Sequence, residues 1–296
     1  MNEISFGFTL GTVRSAAQLT EMCRVADGYG FTTASVVDHL GPGRMAPFPT
    51  LVAAALVSPR LRVGTFVTNV GFYNAALLAR EVVSAVRLTD GRLDLGLGIG
   101  LIKAEFDEAG IPFHGFDERR AALLAAIEEI DRLVESEGDV ERPPLMIGGS
   151  GERVLRMAAE RADIVSFAGL HQIKGRPPGS FRLASAADAE RQTDFVRAAS
   201  AGRTTPVRFN NFVKIVEVTD DREGVAAKLA AVQDDYLTIG DADLALNTPF
   251  LLIGTPEQIA RQIIADRDRY GFTSITVQKP YLDVLGPIIG RVRELS

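Results

Sequence analysis

Short apolar runs of strand length alternate with longer runs of helical period along the whole chain, and that alternation leaves few folds open. The strand-like runs predicted are Ile4–Leu10, Thr33–Asp38, Leu61–Thr68, Leu93–Gly98, Leu145–Ile147, Ile164–Ala168, Phe209–Val218 and Ser274–Gln278. Between them, helical periodicity fills Pro49–Val57, Ala75–Leu88, Asp117–Val134, Glu152–Arg161, Ala186–Ala199 and Arg222–Leu237, with further helices starting at Ala16 and Pro256. Eight strands alternating with helices over 296 residues predict an α/β protein built as a (β/α)8 TIM barrel, a single domain spanning 1–296. A doubly wound sheet is the runner-up. It is weakened because no Gly-x-Gly-x-x-Gly opens a helix after the first strand.

One joint is used twice. The first helix runs into Tyr29-Gly30-Phe31-Thr32, and the helix from Pro256 runs into Tyr270-Gly271-Phe272-Thr273. Glycine after the last helical turn supplies a left-handed cap, and the following aromatic packs back. One segment breaks the rhythm. Residues 170–206 begin with a run rich in Gly, Pro and cations, read as a long loop after the sixth strand and as a lid over the barrel mouth.

Composition narrows the function. The net charge is −6, with scattered arginines and no basic block, which argues against nucleic-acid and anionic-membrane partners. No run of about eighteen apolar residues is present to span a bilayer. Met1-Asn2-Glu3-Ile4 is acidic and leads straight into a strand, so no signal peptide is expected. The lone Cys23 rules out an internal disulfide framework and reads as a small core residue. These features predict a cytoplasmic protein.

In parallel α/β proteins functional groups collect at the carboxyl ends of strands. The second strand ends in Asp38-His39, and imidazole titrates near neutrality, so His39 is the candidate proton donor, with Asp38 able to orient or charge it. Of the other two histidines, His114 lies in a loop and His171 stands at the root of the expected lid, able to reach substrate. Their spacing suits no zinc site, and no metal is expected. Gly96, Gly98 and Gly100 leave one face of the fourth strand bare, open to a flat ring or to a neighbouring backbone. Thr68 and Asn69 suit either a heteroaromatic edge or turn chemistry. Gly148-Gly149-Ser150-Gly151 opens a helix and suits a phosphate.

Taken together, Gly28–His39, Arg62–Asn69, Gly91–Gly100 with Glu105-Phe106, Ile147–Gly151 and Ile253–Ile259 resemble the luciferase-like monooxygenase superfamily, and within it the coenzyme F420 (deazaflavin)-dependent oxidoreductases. The resemblance implies a barrel with an inserted segment, a homodimer, and a planar cofactor at the C-terminal mouth. Asp38 and His39 would lie beside the ring, Phe66-Val67 would form a non-proline cis peptide backing it, and Gly148 to Gly151 would hold the phosphate. The implied reaction is hydride transfer between F420 and a small organic substrate, within a pocket drawing on apolar residues such as Phe8, Phe48, Phe72 and Leu101. An FMN-dependent monooxygenase is the alternative, and a cofactor-binding barrel without catalysis comes third. Two departures stand out. Leu101 occupies the place of a catalytic glutamate in the sugar-phosphate dehydrogenases of this branch, and their tryptophan is missing, with Gly43 near its place.

Overall fold

The computed structural model describes residues 3–176, 178–232 and 236–296. The chain opens with β1 (Ser5–Thr9), α1 (Ala16–Tyr29), β2 (Thr33–Val36), α2 (Pro47–Val57) and β3 (Arg62–Thr65). A short β4 (Thr68–Asn69) resumes after a two-residue break, and a 3-10 turn (Val70–Phe72) leads into α3 (Ala75–Leu88). There follow β5 (Leu93–Gly98), α4 (Lys103–Ala109), α5 (Phe116–Glu137), β6 (Leu145–Gly149), α6 (Glu152–Arg161) and β7 (Ile164–Phe167). Next come β8 (Leu170–Gln172), β9 (Phe181–Leu183), α7 (Ala186–Ser200), β10 (Arg208–Phe212), β11 (Ile215–Val218) and α8 (Arg222–Ala231). The last elements are β12 (Leu237–Thr238), α9 (Ala242–Asn247), β13 (Leu251–Gly254), α10 (Pro256–Tyr270), β14 (Phe272–Gln278) and α11 (Leu282–Leu295).

The main sheet runs β3-β2-β1-β14-β10-β7-β6-β5-β4, and β3 also pairs with β5, so the order returns on itself. With β4 continuing β3, this is the eight-stranded ring of a (β/α)8 barrel. Pairings β2–β3, β5–β6, β7–β10 and β10–β14 are parallel. Each helix follows from its apolar stripe and its ends. In α3, Leu78, Ala79, Val82, Val83 and Val86 are buried, and the Asn74 side chain accepts the Ala76 N–H at 3.0 Å to cap the first turn. In α10 a Thr255/Gln258 capping box surrounds Pro256, and Gly271 ends the helix with φ +80°. Gly30 repeats the joint after α1 with φ +90°, and Phe31 and Phe272 are both buried.

Several boundaries differ from the expectations. Leu61–Thr68 is two strands, interrupted at Phe66-Val67. Phe209–Val218 also divides: β10 stays in the main sheet while β11 pairs with β13. The division falls where the Val213 N–H turns to the Thr276 carbonyl and the Lys214 N–H to the Phe250 carbonyl. The helix expected over Arg222–Leu237 stops at Ala231, and residues 233–235 lie outside the described residues. The start of the 170–206 segment is no open loop. It is a hairpin, with Leu170, His171 and Gln172 antiparallel to Leu183, Arg182 and Phe181, and β12 pairs along β9.

The chain divides into two compact units. One holds residues 9–27 and 32–147; the other holds residues 1–8, 28–31 and 148–296.

Candidate active site

In the unit of residues 9–27 and 32–147, β2 carries buried Ala34, Ser35 and Val36, and Asp38 and His39 follow immediately beyond it. Asp38 is buried, and its Oδ2 accepts the backbone N–H of Asn69 at 3.0 Å. The Tyr73 hydroxyl lies near enough to the same carboxylate to act on it. Burial pushes the Asp38 carboxyl above its ordinary range; the Asn69 hydrogen bond, the Tyr73 hydroxyl and the nearby His39 pull it back, while Glu105 adds to the rise. Burial, and then the Asp38 charge, drive the Tyr73 hydroxyl well up.

His39 has a different partner from the one its neighbour suggests. Its Nδ1 lies 2.8 Å from Oε1 of Glu105, in the first turn of α4. The imidazole is 41% exposed and the glutamate 13%. Asp38 accepts from Asn69, so the acid paired with His39 is Glu105 and not Asp38. Leu101, where the sugar-phosphate dehydrogenases carry an acid, stands 47% exposed. Sequence reading gave Glu105 no place among the site residues. Its partner is 66 positions away, and α4, only seven residues long, has no strong period to announce it.

The Phe66–Val67 peptide is cis, as the resemblance implies. It occupies the break between β3 and β4, and the glycines of β5 make room for it. A Cβ on Gly98 would lie 2.7 Å from Val67 Cγ2, and one on Gly96 would meet the Thr65 carbonyl and Val67. A Cβ on Gly100, at φ +73°, would lie 2.5 Å from Asn69 Oδ1. The space left by these glycines is therefore filled by the chain's own β3–β4 segment, the Thr65 carbonyl at Gly96 and the side chains of Val67 and Asn69 at Gly98 and Gly100, and not left open for a flat ring. Asn69 resolves toward turn chemistry, its Oδ1 accepting the Gly71 N–H at 3.1 Å. Thr68 differs: its hydroxyl is fully buried without a hydrogen-bond partner.

In the other unit, Gly148 to Gly151 lead into α6, which has no side-chain cap. Gly151 has open space where a Cβ would stand, while a Cβ on Gly149 would lie 2.6 Å from Val154 Cγ1. The Gln192 side chain donates to the Ser150 carbonyl at 3.0 Å. His171 does not present its Nε2 outward as expected for a substrate contact. That atom is buried without a hydrogen bond, 3.7 Å from Oδ2 of Asp188. Asp188 already accepts from the Ser185 N–H and hydroxyl, both at 3.0 Å, from Arg182 at 3.1 Å, and from Arg191. Phe8, expected near substrate, is fully buried and stacks edge-on against Phe31 at 5.5 Å, so it is a core residue. Burial pushes the Cys23 thiol up to about 11, which matches a core role. Among the described residues no cluster of three or more His, Cys, Asp or Glu is placed to hold a metal, and no helix is long and apolar enough to cross a membrane.

Comparisons with known proteins bear on the family and the fold. A family model described as luciferase-like monooxygenase matches residues 5–274. The F420-dependent glucose-6-phosphate dehydrogenase of Intrasporangium calvum is 32% identical over 165 residues, 47% of this chain and 49% of that protein. The 5,10-methylenetetrahydromethanopterin reductase of Methanolobus tindarius is 27% identical over 177 residues, 54% of this chain and 52% of that protein. The chain thus spans about half the length of these curated relatives. The solved coenzyme F420 dependent tetrahydromethanopterin reductase of Methanopyrus kandleri superposes with a TM-score of 0.72 at 17% identity, covering 98% of both chains. At that identity the likeness establishes the fold.

Proposed function

The chain belongs to the luciferase-like monooxygenase family, and from that premise we propose that it is an oxidoreductase transferring a hydride between coenzyme F420 and a small organic substrate. The names of the curated relatives, F420-dependent among them, support the choice of cofactor. The observation that carries the reading is the half-exposed imidazole of His39, held at the carboxyl end of β2 by Glu105.

The residues present fit such a group. The Thr68 hydroxyl is a buried polar atom without a partner, suited to the edge of a heteroaromatic ring. Taken by itself, the uncapped start of α6 beside the open Gly151, in the other unit, suits an anion such as phosphate accepting its first N–H groups. When bound, the deazaflavin would supply the hydride chemistry. The chain's own part is to hold and protonate. His39 exchanges a proton with the substrate at Nε2, and Asp38, fixed by Asn69 and Tyr73, stands as a buried wall behind it. Exposed Leu101 gives this face an apolar contact for the substrate.

Separate titrations of the purified chain with F420 and with FMN test the assignment. Saturable F420 binding without an FMN response is the expected result. Tight FMN binding with no response to the deazaflavin would overturn it in favour of a monooxygenase.

A further inference from the structure

We propose that Glu105 is a positioning residue: it fixes the tautomer of His39 and so makes Nε2 the atom at which a proton is exchanged. The inference rests on the proposed oxidoreductase reading for its activity, but its geometry stands apart from any cofactor. A carboxylate only accepts hydrogen bonds, so at 2.8 Å from Oε1 the His39 Nδ1 must carry the proton whenever the ring is neutral. The lone pair is then on Nε2.

Three further observations support this role. Glu105 is the more buried partner, 13% exposed against 41% for the imidazole, so the acid lies behind the ring. The described ion pairs give Glu105 no arginine or lysine to draw it away. The alternative acid, Asp38, is buried and already accepts the Asn69 N–H at 3.0 Å. Position 101 carries an exposed leucine, and the carboxylate stands four residues later, against His39.

The proton balance follows. With a deazaflavin bound to take up the hydride, the O–H or N–H proton of a substrate alcohol or amine would pass to Nε2, leaving a carbonyl or imine. The resulting imidazolium keeps its Nδ1–H on Glu105. In the reverse direction Nε2 returns the proton and the ring becomes neutral with Nδ1 still protonated. Both tautomeric and ionic states therefore keep one orientation of the ring.

The test uses the full chain with 15N-labelled histidine, free of cofactor, and E105Q beside it. Imidazole nitrogen shifts of the neutral ring are expected to place the proton on Nδ1 in the parent chain. In E105Q, whose amide can donate, the proton is expected to move wholly or partly to Nε2. A parent chain already protonated at Nε2, or an unchanged tautomer in E105Q, would overturn the proposal. Steady-state kinetics supply the second readout. E105Q should lower kcat by about 10²-fold or more with KM within about twofold, the scale of losing a correctly oriented base; an unchanged kcat would also overturn it. A thermal melt matching the parent shows that E105Q is folded. If the parent chain turns over nothing with F420, the oxidoreductase reading fails, while the nitrogen shifts still decide the Glu105–His39 pair.

Discussion

His39 and His171 each stand beside a carboxylate next to a strand, yet the two carboxylates are engaged differently. Glu105 meets His39 at 2.8 Å with no competing cation among the described ion pairs. Asp188 is reached by Ser185, Arg182 and Arg191, and His171 is left at 3.7 Å with a buried, unbonded Nε2. Burial holds the His171 imidazole below its usual range; Asp188 raises it, and the two arginines oppose that rise. Proximity of a histidine to an acid does not make a dyad. What matters is how many other donors the acid already serves.

The largest expected effect separates the two histidines. His39→Ala should lower F420-linked kcat by about 10²-fold or more, the usual contribution of a positioned acid–base group. His171→Ala should change it by less than about threefold, the size of a substitution away from the chemistry. Equal losses in steady-state assays would break the contrast. Next comes the scaffold under the first pair. Gly96→Ala puts a methyl into the Thr65 carbonyl and Val67, displacing the segment that aims the Asn69 N–H at Asp38. A loss of about 2–3 kcal/mol in urea unfolding is expected for such overpacking. Gly151→Ala, with open space around it, should cost at most about 1 kcal/mol.

The second pair has its own signature in acid. Although burial works against it, the Asp188 carboxyl is held down to about 2 by Ser185, Arg182 and the adjacent His171. A depressed folded value contributes stability above the unfolded value near 3.9, and that stability is lost as pH falls through about 2. Asp188→Asn should therefore cost about 1–2 kcal/mol at neutral pH, allowing for solvent screening of two exposed arginines, and the gap should narrow below about pH 4 and close near pH 2. A gap that persisted at low pH would show the role of Asp188 to be packing alone. The smallest effect concerns Asp38. Its raised folded value means that stability is lost as pH rises through that value. Tyr73→Phe removes a donor that opposes the rise, so the Asp38 titration followed by NMR should move further up, with a cost of about 1 kcal/mol.

Much of this was legible in the sequence. α3 and α6 fall on their predicted residues because both carry clear apolar stripes. The two Tyr-Gly-Phe-Thr joints were readable because a left-handed cap demands glycine. The break at Phe66-Val67 left no trace in hydropathy, because strand alternation continues through it, and only the family resemblance pointed there. The site was half legible. Strand-end placement singled out Asp38 and His39, but a contact between residues 39 and 105 depends on tertiary packing that no local pattern encodes. The hairpin was misread as a loop because Gly, Pro and cations dominate its tip, while the strand residues beside them number three each.

That hairpin has a further consequence. Its strands form a small sheet with β12, separate from the main sheet in hydrogen bonding. The tip is closed locally by the Ile173 N–H to the Ser180 carbonyl at 2.9 Å and by the Gly179 N–H to Gln172 Oε1 at 3.0 Å. Lengthening a closed tip is cheap, about 0.6 kcal/mol for each doubling. The hairpin therefore closes on its own hydrogen bonds, so a change in tip length is absorbed locally and leaves the β8–β9 register intact.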